Sequence, residues 1–175
     1  MDIREAMYFY ARLGLPVIPL CPHNHRGMTE RHRKGCDRPG KRPLVKEWQT
    51  GGVPTAQEID EWFERWPSLN IGLVLGSPSG IAGIDVDGNG GALLLQQLCG
   101  GDLPSTWMFA TPNNGMRYLY RIPDNQILKK AVSIDRSQSH SECALLGEGC
   151  QTVLPPSIHV NGGRYRWIVG PLETN

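Results

Sequence analysis

The chain has 175 residues, enough for one well-buried domain but not for a second of similar size. Its 18 basic and 17 acidic residues nearly balance, so any contact with an anionic partner must come from local clusters of positive charge. No apolar stretch approaches the length of a membrane span, and the first residues lack the basic region followed by an apolar run that is typical of a signal peptide. The five cysteines are odd in number and widely spaced, which argues against a disulfide framework. We therefore expect a cytoplasmic protein without a membrane partner.

The first part of the chain predicts a helix, then a short strand, and then a long polar segment. Apolar residues at three- and four-residue spacing predict a helix over residues 2–13, and a short apolar run predicts a strand over residues 17–20. Residues 21–42 are polar and show no periodicity. A structureless loop of that length is unusual in a compact domain, so something other than an apolar face must organise it.

A second helix is predicted to begin at Thr55 and to end before Pro67. The Thr55 hydroxyl can cap the helix while Glu58 reaches back to complete a capping box. The buried stripe of this helix consists of Ile59, Trp62, Phe63 and Trp66.

The rest of the chain is dominated by strands, with one short helix predicted over residues 92–98. Together with the earlier elements, this pattern indicates the α+β class. The predicted strands cover residues 71–75, 81–86, 106–111, 117–122, 144–146, 151–154 and 165–169.

Asp85 and Asp87 are the most informative pair of residues in the chain. Side chains alternate between the two faces of a strand, so these carboxylates share one face at the end of the apolar strand 81–86. A divalent cation would remove their repulsion, and Mg²⁺ or Mn²⁺ held by carboxylates and substrate phosphates is the usual arrangement in polymerase-type sites. The alternative is a strand that leaves the core into an Asp-Gly-Asn-Gly turn.

Residues 21–36 contain four side chains of the types that bind zinc, in the spacing Cys-x3-His-x6-His-x3-Cys. Their number fits a structural Zn²⁺ in tetrahedral geometry, and metal binding would supply folding energy to a polar segment. His23 could replace the first histidine. The alternative is a basic surface loop with incidental histidines and free thiols. The four candidate ligands are Cys21, His25, His32 and Cys36.

Two further segments carry groups suited to binding phosphate. The loop that follows Cys36 ends in Pro-Gly-Lys-Arg-Pro, which could deliver Lys41 or Arg42 to a phosphate or could be a solvated turn. Ser157 and His159 are two residues apart, so an extended backbone would present a hydroxyl and an imidazole on one side. The alternative for His159 is a turn histidine satisfied by the backbone. No G-x-S-x-G elbow is present, which disfavours a hydrolase of the triad type.

In their order and spacing, these segments resemble the bifunctional DNA primase/polymerase (prim-pol) domains of the archaeo-eukaryotic primase superfamily, which occur in plasmid, phage and mobile-element replication proteins. The resemblance spans nearly the whole chain. It rests on Ala6-Met7 to Leu20, Pro39-Gly40-Lys41-Arg42-Pro43-Leu44 with Trp48, the helix bearing Trp62, Asn70-Ile71-Gly72-Leu73, the Asp85 and Asp87 pair, Thr111-Pro112 to Tyr120, and Gln151-Thr152-Val153-Leu154-Pro155-Pro156-Ser157-Ile158-His159.

The resemblance implies one catalytic domain over residues 1–175, with a candidate zinc-binding insertion at residues 21–40. The implied fold is an archaeo-eukaryotic primase-like core with mixed β-sheets flanked by helices, one half of which is similar to RNA-recognition modules. The implied role of Asp85 and Asp87 is to hold the catalytic Mg²⁺ or Mn²⁺.

The sequence departs from the family pattern at two places. Arg117 stands where family members commonly carry a phosphate-binding histidine, and an arginine can bind phosphate through its planar fork. Ala144 stands near the place of the third metal-binding acid. Glu142 lies on the same strand face by period two and is the candidate for this role, with Glu148 as the runner-up.

The implied function is template-directed nucleotidyl transfer, as DNA primase and DNA polymerase, by a two-metal mechanism in the replication of a plasmid, phage or mobile element. The expected partners are a DNA template and primer, nucleoside triphosphates, and a helicase or a helical primase segment. The alternatives are a non-catalytic nucleic-acid-binding module derived from a prim-pol, and a metal-dependent nuclease or phosphatase. The predicted triphosphate ligands are Lys41, Arg117, Ser157 and His159.

Overall fold

The computed structural model describes residues 1–134, 136 and 141–171. The chain divides into two compact units. The first unit consists of Met1–Val74 and Gln151–Tyr165, and the second consists of Leu75–Cys150 and the segment that starts at Arg166. Each unit has its own antiparallel sheet, and both contain helices, which confirms the α+β class. The single catalytic domain over residues 1–175 stays a prediction.

The elements follow one another from a helix near the amino terminus to a strand near the carboxyl terminus. The helices are α1 (Ile3–Arg12), α2 (Glu30–Gly35), α3 (Ala56–Arg65) and α4 (Gly88–Cys99), with one 3-10 turn at Trp48–Thr50. The strands are β1 (Val17–Leu20), β2 (Asn70–Val74), β3 (Ile81–Val86), β4 (Trp107–Ala110), β5 (Met116–Arg121), β6 (Ala131–Ile134), β7 (Glu142–Leu146), β8 (Gln151–Val153) and β9 (Arg166–Val169).

Both long helices of the first unit begin where the sequence provides a capping box. The Asp2 side chain accepts a hydrogen bond from the backbone N–H of Glu5, whose own carboxylate accepts one from the backbone of Asp2. The predicted pair of Thr55 and Glu58 caps α3 in the same way. These reciprocal bonds satisfy N–H groups that lack partners inside a helix, which fixes the first residue of each helix.

The sheet of the first unit has the strand order β1-β2-β8. Every residue of β1 and β2 is buried, and except for Asn70 these residues are apolar, without alternation. Helix α1 packs against both strands and against α3. Of the predicted stripe of α3, Ile59 and Phe63 are buried, whereas Trp62 and Trp66 are half-buried.

The sheet of the second unit has the strand order β6-β7-β3-β5-β4-β9. Strand β3 lies inside it, paired with β5 on one edge and with β7 on the other. Helix α4 covers one face of β3 and β7 through a cluster formed by Val86, Leu95 and Cys143. The opposite face of β3 is therefore the one that can carry polar side chains.

Four features differ from the sequence-based expectations. Helix α2 interrupts the polar segment, and strand β6 pairs with β7 although its residues show no clear alternation. Helix α4 begins four residues before the predicted start, so the Asp-Gly-Asn-Gly sequence enters a helix instead of forming a turn. The 3-10 turn at Trp48–Thr50 was also not expected.

No helix among the described residues combines the length and the apolar character that crossing a membrane requires.

We predict that Tyr10→Phe destabilises the protein by about 1–3 kcal/mol, because it leaves a buried acceptor without this donor. The Tyr10 hydroxyl donates to the carbonyl of Pro155 at 2.7 Å, and the residue is fully buried. The control is Tyr120→Phe, which removes a similar bond to the Pro104 carbonyl at an exposed site, where water can replace it. Urea unfolding should show the larger loss for Tyr10→Phe. Equal losses of unfolding free energy in the two variants would contradict the buried hydrogen bond between Tyr10 and Pro155.

Candidate functional site

The predicted pair of carboxylates lies on the face of β3 that α4 leaves uncovered. Val86 belongs to the cluster beneath α4, and Asp85, its neighbour in the strand, points to the other face. Arg117 on β5 and Ala144 on β7 are the cross-strand partners of Asp85. Directly paired residues share a face, so these three residues form one row across the sheet. We call this side of the sheet the carboxylate face.

Asp85 and Arg117 form an ion pair on the carboxylate face. One guanidinium nitrogen of Arg117 lies 2.6 Å from a carboxylate oxygen of Asp85. The Arg117 side chain is 11% exposed and the Asp85 side chain 37%, so the positive group is largely shielded while the carboxylate still reaches solvent. The charge-assisted contact holds both side chains in place. Sequence reasoning proposed both residues separately, but not their pairing.

Asp87 lies where β3 passes into α4. Its backbone is still extended (φ −100°, ψ 111°), so the alternation of the strand places it on the same face as Asp85. Its N–H donates to the carbonyl of Glu142 at 2.9 Å, which continues the pairing of β3 with β7 by one residue. Asp87 is also the N-cap residue of α4, a position where the helix dipole favours a negative charge.

Glu142 shares the carboxylate face by register. It lies two residues from Ala144 on β7, and Ala144 pairs directly with Asp85. Glu142 is half-buried, and its backbone carbonyl accepts the bond from Asp87. The strand pairing therefore places Glu142 on the carboxylate face and Ala144 directly beside Asp85. The role of Glu142 as the third metal-binding acid stays a prediction.

The close approach of α4 to β7 depends on a glycine in the first turns of the helix. A Cβ atom on Gly91 would lie 2.4 Å from the carbonyl oxygen of Glu142 and 3.3 Å from a side-chain carbon of Val86. Only a residue without a side chain allows this packing. The site therefore depends on Gly91, which sequence reasoning did not single out. The signal that could have identified it is the glycine-rich start of α4.

Glu148, the runner-up for the third acid, is engaged elsewhere in the second unit. Its carboxylate accepts hydrogen bonds from the backbone N–H and the hydroxyl of Ser77, at 2.7 and 2.8 Å. These bonds lower the pKa of Glu148 below its usual range. The Glu148 side chain therefore closes the turn that precedes β3, and this contact gives it a structural role.

Ser157 and His159 lie in the first unit, outside the named strands, on either side of Ile158, which forms an isolated β-bridge with Arg164. Ser157 is fully buried, and its Oγ accepts a hydrogen bond from the N–H of Ile71 at 2.9 Å. His159 Nδ1 accepts a bond from the N–H of Asn161 at 3.4 Å, so a neutral ring carries its proton on Nε2. These contacts give both residues structural roles. Their binding of a triphosphate stays a prediction.

Lys41 also belongs to the first unit and is exposed. Its carbonyl accepts a hydrogen bond from Gln151, which fixes the backbone of the turn. The neighbouring Gly40 is held by Asn70, a buried residue that sequence reasoning did not select as functional. The Asn70 amide donates to the carbonyls of Gly40 and Ile158, at 3.0 and 2.7 Å. A buried asparagine in an apolar strand was the signal for this role.

The four predicted zinc ligands converge in the first unit. The ligand atoms of Cys21, His25, His32 and Cys36 all lie within 4.8 Å of one another, and His23 is not among them. Burial raises the pKa of the Cys21 thiol, with a further increase from the neighbouring Cys36. Burial lowers the pKa of His32, and the neighbouring His25 and Arg42 lower it further. We call these four residues the Cys/His group.

The two candidate metal centres differ in how closely their donors gather. Among the described residues, the Cys/His group is the one set of three or more acidic, histidine or cysteine side chains whose ligand atoms all lie within 4.8 Å of one another. The carboxylates on β3 and β7 share a face but form no group of that closeness, and Asp85 pairs with Arg117 instead. In chemical type the carboxylate oxygens still fit a hard divalent cation such as Mg²⁺ or Mn²⁺.

Comparison with known protein families gives one match, and it spans nearly the whole chain. The model of the family described as "Bifunctional DNA primase/polymerase, N-terminal" matches residues 7–175. No curated protein matches the chain. The match covers the carboxylate face and the Cys/His group alike.

We predict that Gly91→Ala destabilises the second unit. Overpacking against a backbone carbonyl costs about 1–3 kcal/mol, which outweighs the gain of about 1 kcal/mol from replacing a helical glycine by alanine. The control is Gly52→Ala, because nothing lies within 4 Å of a Cβ at that position. Urea unfolding should show a loss for Gly91→Ala alone. An increase in stability would contradict the close packing of α4 on β7.

Proposed function

We propose, because the chain belongs to the bifunctional DNA primase/polymerase family, that it adds nucleotides to the 3′ end of a template-bound primer at the carboxylate face. The observation that carries this proposal is the row formed across the sheet. Two acids at the end of β3 stand beside a largely shielded arginine on one side and a third acid on the other. Carboxylates beside a phosphate-binding cation are the parts that phosphoryl transfer uses.

The proposed chemistry is one displacement at phosphorus. The primer's 3′-hydroxyl oxygen forms a bond to the α-phosphorus of a nucleoside triphosphate, the bond from that phosphorus to the bridging oxygen breaks, and pyrophosphate leaves. The hydroxyl proton passes to solvent. Asp85, Asp87 and Glu142 would hold Mg²⁺ or Mn²⁺, which when bound activates the attacking hydroxyl and neutralises the leaving pyrophosphate.

The proposed role of Arg117 is to bind the triphosphate in exchange for its ion pair with Asp85. Before substrate binds, the guanidinium holds the Asp85 carboxylate at 2.6 Å and keeps both groups oriented. Phosphate oxygens bind a guanidinium in the same forked geometry as a carboxylate does. An arriving triphosphate therefore competes with Asp85 for Arg117. The exchange gives the phosphates their cation and leaves the Asp85 oxygens free to act as metal ligands.

Lys41, Ser157 and His159 remain proposed triphosphate ligands of the first unit. Lys41 has the strongest support among them, because the residue is exposed and lies in the most basic stretch of the chain. The family resemblance extends the proposal to replication of a plasmid, phage or mobile element, in the cytoplasm, with a helicase or a helical primase segment as a partner.

A second candidate function is a nucleic-acid-binding module without catalysis. Two observations favour it: Ala144 is the direct partner of Asp85 where an acid is expected, and Arg117 already compensates the charge of Asp85. A site of this kind would bind phosphates through Arg117 but would hold one metal poorly and a second not at all, since two ions need enough negative charge around them.

We predict that Asp85→Asn, Asp87→Asn and Glu142→Gln each lower the rate of primer extension by about 10²-fold or more, the cost of losing a group that stabilises the developing charge. Affinity for primed template should change little. Glu148→Gln is the matched control, because this glutamate contacts Ser77. Rates are measured by single-turnover extension in Mn²⁺. Full activity in Asp85→Asn or Asp87→Asn would end the proposal, and full activity in Glu142→Gln would remove that residue from the site.

We also predict that Arg117→Ala weakens nucleoside triphosphate binding by about 1.5–3 kcal/mol, the range for hydrogen bonds to a charged group. Arg117→Lys should retain part of the affinity, because it keeps the charge but loses the fork. The control is Arg121→Ala, on the same face of β5 by period two but opposite Ile81. Binding is measured by equilibrium titration. An unchanged affinity in Arg117→Ala would exclude the phosphate-binding role.

A further inference from the structure

We infer that the Cys/His group holds one structural Zn²⁺, and that this ion orders the most basic segment of the chain. The inference rests on the geometry of the first unit and does not depend on the proposed nucleotidyl transfer. Four observations support it: the spacing of the two sulfur atoms, the surroundings of the two imidazoles, the lack of an apolar face on α2, and the contacts that tie the segment together.

The two cysteine sulfurs lie as far apart as two ligands of one zinc ion. Their separation is 3.8 Å. Tetrahedral zinc with Zn–S bonds of about 2.3 Å places its sulfur ligands about 3.8 Å from each other. A disulfide would bring the sulfurs to about 2.05 Å. Cys21 and Cys36 are therefore placed as ligands of one ion and not as a covalent pair.

The two imidazoles direct buried nitrogen atoms into the same space. The Nε2 atoms of His25 and His32 are buried and have no hydrogen-bond partner. Their rings stand edge to face, with centroids 5.3 Å apart. Buried polar atoms nearly always have a partner, so two of them side by side need a shared explanation. A metal ion that accepts both lone pairs supplies one.

Helix α2 lacks the usual sources of stability. It has six residues and buries none of them, so no apolar face anchors it. A helix this short does not persist on its own propensity. His32 lies within the helix, and Cys36 is the residue that ends it. Coordination by both residues would anchor the helix through metal-binding energy in place of a hydrophobic contact.

The donor set selects both the ion and its role. Two thiolates and two imidazoles favour zinc over Mg²⁺ or Mn²⁺, which prefer oxygen ligands. Four protein ligands fill a tetrahedral site and leave no position for water or substrate, which is the arrangement of structural zinc. The ion would therefore shape the segment and take no part in chemistry.

The contacts of the neighbouring residues show what the ion would order. The N–H of Cys21 donates to the carbonyl of Arg42 at 2.8 Å, and the Arg42 guanidinium donates to the carbonyl of Gly35 at the end of α2. Asn70 holds Gly40 from the sheet. Residues 21–42 carry seven basic and two acidic side chains. Zinc would thus fix a concentrated positive charge in one arrangement on the first unit.

The first test measures metal in the unmodified protein and in paired variants. Elemental analysis after purification without chelator should give one zinc per chain. His25→Ala and Cys36→Ser should each weaken zinc affinity by at least about tenfold, measured by competition with a chelator of known affinity, because even loss of an outer partner of a ligand costs that much. The controls are His23→Ala and Cys150→Ser; Cys150 is a free, half-buried thiol, as Cys36 is. Equal loss in a variant and its control would overturn the ligand assignment.

The second test uses the unmodified protein and so does not depend on how the variants fold. Replacement of zinc by Co²⁺ should give the visible absorption of a tetrahedral site and a thiolate charge-transfer band in the near ultraviolet. Trypsin should cleave within residues 21–42 much faster after metal removal by a strong chelator, and added Zn²⁺ should restore protection. Absence of the cobalt spectrum would overturn the metal site. Cleavage at the same rate with and without metal would overturn the ordering role.

Discussion

The pairing of β3 on both of its edges is the constraint on which the candidate site depends. Hydrogen bonds to β5 and β7 fix the register, and the register decides that Asp85 stands between Arg117 and Ala144. Because side chains alternate, a shift of one residue would turn Asp85 toward α4 and bring Val86 to the opposite face. The apolar cluster beneath α4 prevents that shift, since it would expose Val86 and bury a charge. Hydrophobic packing on one face thus positions the acids on the other.

The two candidate centres differ in whether their polar groups are paired within the protein. On the carboxylate face, Asp85 is compensated by Arg117, so the acid is held ready without a metal. In the Cys/His group, the Nε2 atoms of the two imidazoles are buried without a hydrogen-bond partner, and α2 has no apolar anchor. The first arrangement is stable as it stands and can exchange partners. The second needs its ion to be satisfied, which is why we assign catalysis to the first centre and structure to the second.

Much of the fold could be predicted because local chemistry determines it. The bounds of β1 and β3 and the capping box of Thr55 and Glu58 follow from period and side-chain type. Helix α2 and strand β6 were missed because contacts distant in sequence hold them, and neither has a periodic apolar face. The Asp85–Arg117 pair was missed because it depends on the register between β3 and β5, which neither strand's own sequence determines.

Polar residues that looked functional in sequence divide into two kinds in the structure. Ser157 and Glu148 each accept a hydrogen bond from a backbone N–H, which secures a strand or a turn. Arg117 instead contacts a side chain, the carboxylate of Asp85, at 2.6 Å. Sequence motifs cannot separate these kinds, because a buried backbone group and a substrate phosphate are bound by the same polar side chains.

The most direct test of the central claim is to count pyrophosphate released for each nucleotide added to a primer by the unmodified protein. The assay uses a labelled primer on a DNA template with Mn²⁺ and nucleoside triphosphates, and omits the template in parallel. The account predicts one pyrophosphate for each nucleotide incorporated and no extension without template. Binding of primed template with neither extension nor pyrophosphate would contradict nucleotidyl transfer and leave the binding module as the function of this face.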